Sequence, residues 1–132
     1  MALVEVFRNE FSTITMDSKG PLVRSTRSDV PFQSLAALEK HVGEMIRTYD
    51  QMGREGRVLL NDLRAVQGRN DSDFEDRMSI LRPKLYRGFV RVGILVRSVV
   101  GTLQIKRMVQ EDGLARAVMT DEAELLEYLI KG

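Results

Sequence analysis

Hydrophobic and polar positions follow two different periods along the chain. Val4 and Val6 alternate with Leu3, Glu5 and Phe7, and Phe11 to Met16 is rich in β-branched and aromatic residues, which predicts two strands joined by a turn at Asn9 and Glu10. Asp17-Ser-Lys-Gly-Pro21 combines an Asp, a permissive Gly and a φ-fixed Pro, so a second turn leads into a third strand over Leu22 to Ser28. These strands predict an antiparallel meander. From Ser34 the period becomes helical: Leu35, Leu38, Val42, Met45, Ile46 and Tyr49 recur on one face, with Ser34 as N-cap and Gly53 as the stop.

Arg57 to Leu63 is a short, nearly continuous apolar run of the type expected for a strand buried on both faces in a parallel sheet. Ser72-Asp-Phe-Glu75 has capping-box spacing with Ser72 as the cap, and Phe74, Met78, Leu81 and Leu85 continue as a helical face that Pro83 should kink or end. Phe89 to Val96 predicts another buried strand, followed by a helix from Ser98 or Val99 to about Asp112, where Gly113 ends it. Leu114 to Met119 predicts a strand. Thr120 then caps a final helix with Leu126, Leu129 and Ile130 on its core side. Strands alternating with helices require crossovers, so the expected fold is one α/β domain over residues 1–132, with a mixed, mainly parallel sheet of about five to six strands and four helices. Val58, Leu60, Val92, Ile94 and Val118 are its expected buried sheet residues.

The phrases Val58-Leu-Leu-Asn-Asp-Leu63, Val92-Gly-Ile-Leu-Val96 and Ala117-Val-Met-Thr-Asp-Glu-Ala-Glu-Leu-Leu-Glu-Tyr-Leu129, in this order of elements, resemble the bacterial STAS-like proteins related to the sporulation anti-sigma factor antagonist, the SpoIIAA-like group. The resemblance implies a STAS-like fold and a non-enzymatic module for signalling or ligand response. In the phosphorylated branch of that family, an Asp-Ser followed by a small residue and Gly lies between a central strand and the next helix. Here the connection from Asn61 to Phe74 has no such motif; Asp71-Ser72 is its nearest match, followed by Asp73 and Phe74, which makes Ser72 a candidate phosphoacceptor in an unfavourable setting. Asp71 and Asp73 would repel the added negative charge.

Composition narrows the chemistry. The 132 residues include no Cys and one His, so disulfides, thiol nucleophiles, thiolate metal sites and multi-histidine metal sites are excluded. That one His, His41, sits at the edge of the first helix's apolar face without a Ser, Cys or carboxylate pattern beside it, and Asp62 is unsupported as a catalyst, since glycosidase-type chemistry needs a positioned pair of carboxylates. Neither nucleotide-binding glycine fingerprint is present. No catalytic residue, metal ligand or cofactor is therefore expected, and the reading is not an enzyme. The net charge of +1 hides a stretch of +6 over residues 54–107, yet Asp71, Asp73, Glu75 and Asp76 interrupt its arginines, which disfavours a nucleic-acid surface. No stretch approaches the roughly 20 apolar residues of a membrane span, so a cytoplasmic protein is expected.

Ligands of open α/β sheets bind beyond the carboxyl ends of parallel strands. Those ends carry Asn61, Asp62 and Arg64, then Arg97 and Ser98, then Thr120, and the long connection adds Arg69. Asp62, Arg64, Arg69, Arg97 and Ser98 are accordingly the candidate surface for a protein partner or ligand. The function expected is a regulatory protein-interaction module. A carrier or sensor of a small apolar or amphiphilic ligand is the alternative, and a homodimer stays open.

Overall fold

The computed structural model describes residues 2–66, 71–98 and 116–131. Its elements are β1 (Leu3–Arg8), β2 (Ser12–Asp17), β3 (Leu22–Arg27), α1 (Leu35–Met52), β4 (Val58–Asp62), α2 (Ser72–Tyr86), β5 (Arg91–Leu95), β6 (Ala117–Met119) and α3 (Glu122–Lys131). Among the described residues the six strands form one sheet in sequential order, β1 to β6. Pairing is antiparallel for β1 with β2 and β2 with β3, and parallel from β3 through β6. The sheet is thus mixed rather than mainly parallel. Tight turns force the first three strands to run back on one another, whereas the helical crossovers permit the parallel half. Three helices stand among the described residues where four were expected; the expected helix from Ser98 or Val99 to Asp112 lies outside them, as does Arg69.

Strand alternation divides the core into two layers. Ile14, Val23, Leu59 and Val92 face α1 and α2, meeting Leu38, Val42, Met45, Tyr49 and Leu85. Leu22, Val58, Leu60 and Leu95 face the other way and meet Leu125 and Leu129 of α3. This two-sided cover explains why β4 is buried along its whole length. Of the expected sheet core, Val58, Leu60, Val92 and Ile94 are buried, whereas Val118 is only half-buried because β6 is an outer strand of this sheet. At the opposite edge, Leu3, Val4 and Val6 are exposed, and a bulge between Glu5 and Phe7 bends β1.

The helix ends partly follow the sequence signals. Ser34 Oγ accepts from the Ala37 N–H at 3.1 Å, and Gly53 ends α1 at φ 82°, a left-handed conformation open to glycine. At α2 the cap is Asp71 instead of Ser72: its carboxylate accepts from the Asp73 N–H at 3.1 Å, and Ser72 is the exposed first helical residue. A carboxylate at this position also opposes the positive helix end. Asp71→Ala should cost about 1 kcal/mol and Ser72→Ala less than about 0.5 kcal/mol in urea unfolding; the reverse order would return the cap to Ser72. Asp121, rather than Thr120, accepts from the Glu124 N–H at the start of α3. Leu125 takes the core position expected of Ile130, which is exposed, because the true start of the helix sets which residues face the sheet. Pro83 sits in the last turn of α2, and the helix ends three residues after it, at Tyr86.

Candidate functional site

The expected surface residues separate onto two sides of the sheet. Neighbouring β-strand residues point in opposite directions, so Asn61 faces α2 and Asp62 faces α3. Asn61 donates from Nδ2 to the Tyr86 hydroxyl at 2.8 Å. On the α3 side, Asp62 is 4% exposed and accepts from the Arg64 backbone N–H and Nε, each at 3.0 Å, from Arg64 Nη2 at 2.8 Å and from Arg24 Nη2 at 2.8 Å. Arg24 Nη2 also reaches Glu122 Oε1 at 2.6 Å, which ties the first turn of α3 to the end of β4. Burial alone pushes the Asp62 carboxyl up; hydrogen bonds from Arg64 and the charges of Arg64 and Arg24 outweigh it and hold the group below its ordinary value. Asp62 and Arg64 therefore join a clasp between strand and helix.

Arg97 and Ser98 are exposed and lie on the other side, at a cavity of about 740 Å³ between α1, α2 and the sheet. Leu38, Val42, Met45, Phe74, Met78 and Ile94 line its apolar part. Its polar lining includes Ser12, Ser25, Arg27, His41, Asn61, Arg82 and Tyr86. Four arginines border it, Arg27, Arg82, Arg97 and Arg116, against the acids Asp29 and Glu75. Arg82 pairs with Glu75 at 3.5 Å, and Arg116 lies over the Tyr86 ring at 5.4 Å. The volume falls within the range of small-molecule pockets. Among the described residues, no group of three or more His, Asp or Glu side chains is placed to hold a metal ion.

One end of the cavity is organised by a turn. Asn9 Oδ1 accepts from the Phe11 and Ser12 backbone N–H groups at 2.8 and 2.9 Å, so its Nδ2 faces His41 Nδ1, 3.0 Å away. His41 Nε2 lies 3.0 Å from Ser12 Oγ. Phe7, Phe11 and Phe32 surround the imidazole. Burial first, and the Arg27 charge second, push His41 down from 6.5 to about 4, with Glu44 opposing. At neutral pH the ring is uncharged in the folded chain. As pH falls below about 6.5 the unfolded chain takes up a proton at His41 first, so stability should drop progressively until pH reaches about 4, by about 2 to 3 kcal/mol in all. Urea midpoints measured across this window test the effect; a His41→Gln variant should lose this part of the slope, and an unchanged slope would assign the loss to other groups.

The sequence reading missed Ser12, Ser25, Arg27 and Tyr86 as cavity residues. A signal was present in β2 and β3: Ser12 stands in rank with Ile14, and Ser25 and Arg27 with Val23, so each polar residue shares a face with core residues.

The sequential mixed sheet, with α1 and α2 on one face and α3 on the other, places the chain in a recognised class: it has the SpoIIAA-like fold. It is similar over 94% of its length, at a TM-score of 0.62 and 12% identity, to the crystal structure of an uncharacterized protein of the DUF3478 family from Shewanella loihica PV-4, described as SpoIIAA-like, and covers 98% of that chain. No protein-family model matches the sequence, and no curated protein matches it. No helix among the described residues is long and apolar enough to cross a membrane.

Proposed function

We propose that this chain is a non-enzymatic STAS-like regulatory module, and that it works as a carrier or sensor of a small amphiphilic ligand held between α1, α2 and the sheet. The cavity of about 740 Å³ carries the reading, because its lining joins an apolar wall to a few convergent polar groups. The bond between His41 and Ser12 supports a binding role over a nucleophilic one. An imidazole whose Nδ1 faces an amide donor carries its proton on Nε2 and donates to the serine, whereas activation of a serine nucleophile needs a ring nitrogen that accepts its proton.

A regulatory protein partner is the second form of the same proposal, favoured by the exposed edge residues Leu3, Val4 and Val6 and by the exposed Arg97 and Ser98 at the cavity. Phosphorylation of Ser72, exposed at the start of α2, belongs to this second form. Nucleic acid is not among the proposed partners.

The neutral probe N-phenyl-1-naphthylamine tests the ligand reading without reference to charge. It should bind saturably at one site per chain, and Val42→Trp, which fills the cavity from α1, should weaken it by about ten-fold or more. A fluorescence titration that does not saturate, or one unchanged in the folded variant, would sink the ligand reading and leave the protein-partner form.

A further inference from the structure

We infer that the Ser12 hydroxyl and the Arg27 guanidinium form an anion-binding pole of the cavity, which takes the carboxylate head of an amphiphile whose apolar body lies against α1 and α2. The inference rests on the ligand reading above and adds the chemical class of the ligand.

The direction of the hydrogen bonds carries the argument. Two backbone N–H groups fix the Asn9 oxygen, and the amide nitrogen on its other side serves His41 Nδ1 at 3.0 Å and Glu44 Oε2 at 3.4 Å. His41 Nδ1 is therefore an acceptor, and the one proton of the neutral ring is on Nε2, facing Ser12 Oγ. Ser12 accepts in this bond, so its own proton points elsewhere. The residue is 3% exposed and lines the cavity, and no acceptor for that proton stands among the described residues. A buried donor in this state favours a ligand that brings an acceptor.

Arg27 is the direct cross-strand partner of Ser12, so both side chains occupy the same face of the sheet. Its Nη1 donates to the Phe11 carbonyl at 3.2 Å and to the Ser28 carbonyl at 2.9 Å, and the guanidinium lies over the Phe32 ring at 4.4 Å. These contacts hold the fork in place while leaving its Nε and Nη2 without an acceptor among the described residues. Of the nearby acids, Glu44 receives the Asn9 amide, and Asp29, exposed at the cavity, acts on Arg27 through its charge without taking a hydrogen bond from it. A hydroxyl donor beside a cation is suited to a carboxylate, which accepts from both, while an ammonium head would meet repulsion there.

Displacement of N-phenyl-1-naphthylamine by dodecanoate, dodecan-1-ol and dodecyltrimethylammonium tests the assignment. Dodecanoate should bind about ten-fold tighter than the alcohol, with the ammonium weakest. Ser12→Ala should bring dodecanoate close to the alcohol and leave the alcohol within about two-fold. Asn9→Asp should do the same with the serine still present: a carboxylate at position 9 accepts from Nδ1–H, which turns Nε2 into an acceptor for the Ser12 proton. His41 is the chain's single histidine, so its ¹⁵N resonances report that tautomer change without ambiguity. Equal binding of the three amphiphiles, or a head-group ratio unchanged in folded Ser12→Ala and Asn9→Asp, would overturn the anionic pole while the cavity reading stands. Absence of binding by the neutral probe and all three amphiphiles would overturn both.

Discussion

Arg54→Ala should lower folding stability by about 2 to 3 kcal/mol, the range for leaving buried carbonyls without a charged hydrogen-bond donor. Arg54 follows the glycine that ends α1, and its side chain is turned inward at 8% exposure. Nη1 donates to the carbonyls of Lys84, Leu85 and Arg87 at 3.2, 2.9 and 2.7 Å. These are carbonyls at the C-terminus of α2, where a helix runs out of intrahelical donors and carries partial negative charge. Nε reaches Asp50 at 3.1 Å, and the guanidinium lies 5.5 Å from both the Tyr49 and Phe89 rings. One side chain thereby joins the end of α1 to the end of α2. Arg54→Lys should recover less than half of the loss, since an ammonium cannot keep the planar fork between two rings. Urea unfolding with an unchanged slope measures both variants, and a loss below about 1 kcal/mol for the alanine would mean that water replaces the arginine at the helix end.

Gly93→Val should cost about 3 kcal/mol or more by forcing α3 away from the sheet. A Cβ at Gly93 would stand 2.5 Å from Leu125 Cδ1 and 3.3 Å from Leu129 Cδ1, and both leucines are 0% exposed. Position 93 is held between Leu60 of β4 and Ala117 of β6, so the strand has little room to retreat. Leu125→Ala alone should cost about 2 to 5 kcal/mol through the cavity it leaves. The double variant should cost clearly less than the two losses together, because the new methyl groups enter the vacated space. Additive losses in a double-mutant cycle would show that the two positions do not compete for the same volume.

Much of this architecture was legible along the chain. The change from alternation to helical spacing at Ser34, the stop at Gly53 and the apolar run Val58-Leu-Leu60 in β4 each correspond to an observed feature. These are local signals, set by backbone preference and by the period that buries one face. The helix caps were read less well. Asp71 and Ser72 are both good caps, as are Thr120 and Asp121, and the choice between neighbours depends on where the incoming chain lets the first turn begin.

The candidate site was legible only in part. Topology pointed to the strand ends as the candidate surface; there Asp62 and Arg64 meet Arg24 and Glu122 on the α3 side, while Arg97 and Ser98 border the cavity on the other. Sequence proximity cannot separate them, because adjacent strand positions point to opposite faces. The sequence by itself determined most of the described elements, the apolar faces of α1 and of the central strands, and the absence of thiol and multi-histidine chemistry. Tertiary structure decided which residues meet: Asn9, Ser12, Arg27 and His41 come from a turn, two strands and a helix, and their joint geometry exists only once the sheet has set its register and α1 has packed upon it.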